Sequence, residues 1–127
     1  MLPTEAHLQL FSALNALAQI QHEKNKHWWH DPATGEPLVV NKGEKLMLMV
    51  SEIAEAMEGE RKDLMDDKLP HRKMAEVELA DCVIRILDYC AAFGYDLSGA
   101  VYEKMCYNET RADHKPEARL APGGKKF

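Results

Sequence analysis

Long hydrophobic runs are missing from this chain. Nowhere among its 127 residues does an unbroken apolar stretch approach the roughly 20 that a membrane-spanning helix requires, so no membrane partner is expected. Cysteine is scarce and odd in number. Cys82, Cys90 and Cys106 show no CxxC spacing, which argues against a disulfide framework. Cys82 and Cys90 lie two turns apart in one helix-like run, too far to bond to each other, and buried free thiols in a reducing compartment are the reading. Positive charge is not in excess either. With 16 Lys and Arg against 21 Asp and Glu, the net charge is -5, which argues against nucleic acid as the main partner. Small polyphosphates remain open, because bound metal ions can invert the local charge. The opening Met1-Leu2-Pro3-Thr4-Glu5 lacks the basic-then-apolar order of a signal peptide, and the expected location is the cytoplasm.

What is present is a helical pattern. The apolar content of 46% and charged content of 29% fit one globular domain over residues 1–127, with a core at about 4–111 and an extended C-terminal tail at 112–127. There is no repeat, no low-complexity tract and no alternation of the strand type. A first helix is expected to start after Thr4, punctuated by Pro3, and to run to about Asn25, with Leu10, Leu14 and Leu17 on its core stripe and Phe11 and Ala18 beside them. A loop of 16 residues, His27 to Lys42, follows. Loops of that length in compact domains are more often functional than accidental. Asn41 and Glu44 resemble a capping box for a second helix ending near Lys62, whose apolar face carries Leu46, Met49, Val50, Ile53 and Met57. A third helix is expected from His71 to Phe93, stopped by Gly94, and a fourth from Asp96 or Ser98 to about Arg111. The fold class is therefore all-α, with a four-helix core.

Two acidic pairs carry the chemical signal. Glu52-Ile53-Ala54-Glu55 lies on the second helix and Glu78-Leu79-Ala80-Asp81 on the third. Residues three apart share a helix face, so each pair presents two carboxylates together. Both pairs are hemmed in by apolar residues, unlike ordinary solvated acids. Helices joined by a short connector lie antiparallel, and the pairs can then face each other. Four carboxylates within about 5 Å would repel by roughly 3 kcal/mol per pair at an effective dielectric near 20. A cation relieves that repulsion, and all-oxygen ligands suit Mg2+, with Mn2+ as a substitute. On the fourth helix Lys104, Asn108 and Arg111 share a stripe that could grip a phosphate chain. Arg85, one turn beyond Asp81, either orients a carboxylate or meets a phosphate.

Taken together, Glu52/Glu55, Glu78/Asp81 and Lys104/Asn108/Arg111, in order on three successive helices, resemble the signature of the MazG-like all-α nucleoside triphosphate pyrophosphohydrolases. The contexts Ser51-Glu52-Ile53-Ala54-Glu55-Ala56 and Glu78-Leu79-Ala80-Asp81-Cys82-Val83-Ile84-Arg85 are similar too, and the likeness spans about Asn41 to Arg111. It implies a four-helix core assembled as a homodimer or a dimer of dimers, and Mg2+-dependent cleavage of a ribo- or deoxyribonucleoside triphosphate to its monophosphate and pyrophosphate, a task of nucleotide-pool housekeeping. It also implies Glu52, Glu55, Glu78 and Asp81 as metal ligands. Ser51 stands where many members carry a further acid, which leaves open the number of ions and the identity of the base.

In that chemistry Glu52 or Glu55 takes the proton of the attacking water, while Lys104, Asn108, Arg111 and Arg85 meet phosphate oxygens. Trp28 and Trp29, in the loop after the first helix, offer faces for the base, and packing is an equal use for them. A ferritin-like di-iron site is set aside because Glu-x-x-His occurs nowhere. The remaining alternative is a non-catalytic helical interaction module, insensitive to metal and nucleotide.

Overall fold

In the computed structural model, which describes residues 5–127, the regular structure is helical, and the only extended pairings among those residues are two isolated bridges. The expected role of Pro3 lies outside the described residues. The order is α1 (Glu5–Lys24), a 3-10 turn (Lys26–Trp28), α2 (Lys42–Lys62), α3 (Met74–Ala92), α4 (Leu97–Thr110), a second 3-10 turn (Ala112–His114) and α5 (Pro116–Leu120). None of these helices is long and apolar enough to cross a membrane. Contacts divide the chain into two compact units. One is Ala16–Tyr95; the other joins Asp96–Phe127 with the chain up to Asn15.

Helix ends follow local chemistry. The Asn41 side chain accepts the Glu44 amide at 3.0 Å and starts α2, supplying one of the partners that a helix N-terminus lacks. Gly94, at φ +68°, takes the left-handed turn that ends α3, and Asp96 caps α4 through the Gly99 amide at 2.9 Å. The third helix begins at Met74, three residues later than expected. The connector before it folds on itself, with Asp66 N–H bonded to the Arg72 carbonyl and the buried Asp66 carboxylate accepting the Lys68 and Leu69 amides at 3.0 and 2.7 Å. The 16-residue loop is likewise compact. Asp31 accepts the Ala33 and Thr34 amides, and His30 pairs with Pro37.

Within Ala16–Tyr95 the extensive interface is α2 against α3. Glu52 meets Arg85 while Gly59 meets Met74 and Ala75, so the two helices run antiparallel. Gly59 permits the close approach: a Cβ there would lie 3.0 Å from the Met74 side chain and 3.1 Å from the Ala75 nitrogen.

α2 turns its acidic and small side towards α3, and most of the stripe expected to be its apolar core face is left open. Glu52, Ala56 and Gly59 are buried, whereas Leu46, Val50, Ile53 and Met57 are about half exposed. Leu10 and Leu17 of the stripe expected to be the core face of α1 are also exposed, whereas Leu14 is half-buried and Ala18 beside them is buried. The periodicity is real, but in a single chain the small and acidic side of α2 is covered and the large apolar side is not.

The other unit holds its short elements with polar pins. Asn15 donates from Nδ2 to Asp96 at 2.7 Å and accepts the Ser98 amide at 2.9 Å, and the Phe11 and Tyr102 rings sit 5.6 Å apart. The segment expected to be an extended tail carries the second 3-10 turn and α5. Pro116, with φ preset for a helix and no amide to lose, opens α5.

Candidate metal centre and adjoining pocket

Turning the small side of α2 inward brings three of the four sequence-predicted acids together. Glu52, Glu55 and Glu78 each place a carboxylate oxygen within 4.8 Å of the other two. Glu52 is buried, Glu78 half-buried and Glu55 exposed, so the cluster opens to solvent on one side. The fourth acid, Asp81, is half-buried and lies outside this trio, one turn along the same face of α3 from Glu78.

Three crowded carboxylates cannot all carry full charge cheaply. Burial, with hydrogen bonding to Glu52 and Glu55 and their charges, raises the Glu78 carboxyl to about 7. Burial also pushes Glu52 up, but the Arg85 guanidinium and the bonds to Glu78 and Glu55 outweigh it and hold Glu52 below its ordinary value. Asp81 is raised by burial and by the charge of Glu52, with Arg85 offsetting part of the rise. The cluster thus shares a proton across one edge and a guanidinium across another. Its donors are hard oxygens alone, the set that fits Mg2+ or Mn2+.

Arg85 resolves one of the two roles open to it. Its Nε donates to Glu52 Oε1 at 2.8 Å, an ion pair that orients the buried carboxylate. The same side chain lines a cavity of about 290 Å3 with Trp28, Trp29, Lys45 and Asp88. Metal-type cluster and cavity therefore share a wall.

The two tryptophans, indistinguishable by sequence, have different environments. Trp29 is buried, with its Nε1 donating to Asp88 at 3.0 Å, its ring edge-on to His22 and Phe93 and the Lys45 ammonium 4.4 Å from its centre. Trp28 lines the cavity, is 62% exposed, and packs against the His27 ring in a tilted arrangement with centroids 5.0 Å apart. Exposed aromatic rings of this kind are surfaces on which a base can stack.

Asp88 and Lys45 were not singled out from sequence. A faint signal for Asp88 existed, since it is the one acid in the apolar last turns of α3, flanked by Leu87 and Tyr89. Lys45 offered none, being one of two lysines in the first turn of α2.

The predicted basic stripe belongs to the other unit. Lys104 lies on α4 with its ammonium 4.9 Å over the Tyr107 ring, and Asn108 is half-buried with Oδ1 unpartnered. Arg111 caps the helix in extended conformation and forks onto Asp113 at 3.0 and 2.6 Å, holding that carboxyl far below its usual range. A guanidinium so engaged must break a bidentate pair before it can reach a phosphate. Cys82, Cys90 and Cys106 are free thiols, the first two buried as expected and the third half-buried.

Comparisons with known proteins add no relative: no family model, no curated protein and no solved structure matches this chain.

Proposed function

We propose that the chain is a Mg2+-dependent nucleoside triphosphate pyrophosphohydrolase of the MazG-like type, acting in the cytoplasm on nucleotide pools. The observation that carries this reading is the convergence of Glu52, Glu55 and Glu78 beside a cavity walled by an exposed tryptophan and two cations. A bound Mg2+, or Mn2+ in its place, would neutralise phosphate charge and sharpen the acidity of a water. Glu52, Glu55 and Glu78 would hold it, with Asp81 completing the set from the next turn of α3.

The protein's own groups do the rest. Glu55 is the better proton acceptor for the attacking water, because one oxygen of Glu52 is committed to Arg85. Arg85 favours the ionised form of Glu52 and also lines the cavity, where Lys45 adds a second cation for phosphate oxygens. Trp28 offers its face to the base. Residues 16–95 alone carry these assignments. Lys104, Asn108 and Arg111, expected to bind phosphate, lie in the other unit, where Arg111 is held by Asp113.

The exposed stripe Leu46, Val50, Ile53 and Met57 supports assembly into a homodimer or homotetramer whose second copy completes a four-helix core. Covering one such side chain contributes about 1.5–3 kcal/mol. Ile53→Asp should therefore convert the assembly to monomer in sedimentation velocity. A monomeric wild type, or an unchanged mutant, speaks against the assembly.

The same stripe is what a non-catalytic helical interaction module would display. Incubation with a panel of ribo- and deoxyribonucleoside triphosphates decides between them. Pyrophosphate release with Mg2+ and none with chelator is the expected result. No release with any nucleotide leaves the interaction module.

A further inference from the structure

Asp88 is buried in the wall of the cavity, and both its carboxylate oxygens are engaged. Oδ1 receives His22 Nδ1 at 2.8 Å; Oδ2 receives Asn25 Nδ2 at 3.1 Å and Trp29 Nε1 at 3.0 Å. All three donors come from one stretch of chain, His22 from the last turn of α1 and Asn25 and Trp29 from either side of the 3-10 turn after it, whereas Asp88 stands on α3. A carboxylate taken out of water is retained where hydrogen bonds replace its hydration, and here every replacement ties the same segment to the same helix. The acidic cluster has no share in this network.

The tie has consequences for the cavity. Trp29 cannot rotate without breaking its bond to Asp88 and leaving the Lys45 and Phe93 contacts. Trp28 directly precedes Trp29 in the chain, so the backbone that carries its exposed ring is anchored one residue away. Asn25 also lines the cavity, and its engaged Nδ2 orients the amide, leaving Oδ1 as its acceptor.

We infer that Asp88 is a positioning residue that sets the nucleoside-binding wall of the cavity, holding Asn25 and the Trp28–Trp29 turn against α3 without itself contacting the ligand. This rests on the nucleotide reading above, but it concerns the base end of the substrate and not the phosphate chemistry.

Replacing Asp88 with Asn keeps the shape and removes the charge, and sets an N–H donor against donors. Tryptophan fluorescence titrations with adenosine, guanosine, cytidine and uridine, in chelator without metal, read the wall directly. At least one nucleoside should give a saturable change with wild type. Asp88→Asn should weaken it on the order of 10–100-fold, the scale of lost outer-shell support, and raise KM for the matching triphosphate more than it lowers kcat. Trp29→Phe retains the ring and deletes one donor, so it reports should Asp88→Asn fail to fold, and a several-fold loss is expected. Unchanged affinity in either folded variant, no nucleoside binding by wild type, or a fall in kcat at constant KM overturns the assignment. Nucleoside binding lost in Asp88→Asn, without pyrophosphate release by wild type, would remove the hydrolase and keep the positioning role. Hydrolysis with an unaffected Asp88→Asn does the opposite.

Discussion

The metal-free protein should lose thermal stability as the pH rises from about 5 to about 8, and millimolar Mg2+ should restore it. The folded chain keeps the Glu78 proton up to about 7, whereas the unfolded chain releases it near 4.5. Between those values the folded state binds more protons than the unfolded one, so stability is greatest at the acid end and drains away as the pH climbs through the folded value. Asp81, also raised, adds in the same direction. Glu52 is lowered, and its contribution has the opposite sign, but it titrates below this window.

A divalent cation acts on the same groups from the other side. It takes the place of the shared proton, favours three ionised carboxylates and binds only the folded cluster. At a hundred times its dissociation constant it would add about 2.7 kcal/mol. Glu78→Gln separates the two effects. The neutral amide should flatten the pH dependence and raise the Tm of the metal-free protein at pH 8, while abolishing the Mg2+ response. Thermal scans at three pH values, with and without Mg2+, are sufficient. A Tm indifferent to both pH and Mg2+ would mean that the three carboxylates do not act as one site.

The second large effect is on turnover. Glu55→Gln should lower pyrophosphate release by about 10²–10⁴-fold, the contribution expected of a positioned base. Glu55 is the exposed member of the trio, so its loss should leave Tm in chelator within about 0.5 kcal/mol equivalent of wild type. KM should change little, because the cavity side chains that would hold the nucleoside are untouched. Glu52→Gln is the instructive contrast. It also breaks the pair with Arg85 at 2.8 Å and leaves a guanidinium without its carboxylate, so activity and stability should fall together. Equal activity in Glu55→Gln and wild type would exclude Glu55 from the chemistry.

Much of this protein was legible along the chain. The caps at Asn41 and Asp96 and the stop at Gly94 follow from short-range chemistry that needs no distant partner. The acidic pairs were equally visible, since three-residue spacing on a helix is a local property. Less visible was the fate of Asp81, which the same spacing groups with Glu78 but the packing leaves outside the trio. The start of α3 was misjudged for a related reason, because Asp66 organises its connector through bonds that no periodicity reveals.

By itself, then, the amino-acid order determined that the chain is helical, where α2 and α4 begin and which acids share a face. Only tertiary packing decided which face is inside. A helical repeat marks a stripe but carries no information on what covers it, so the stripe through Ile53, expected inside, stays open while α2 turns the small side that bears Glu52 to α3. The same packing separated Trp28 from Trp29, gave Arg85 to Glu52 and set Asp88 against the end of α1. Each of those outcomes joins residues at least 33 positions apart, and contacts of that kind are settled by how helices meet rather than by what either helix is.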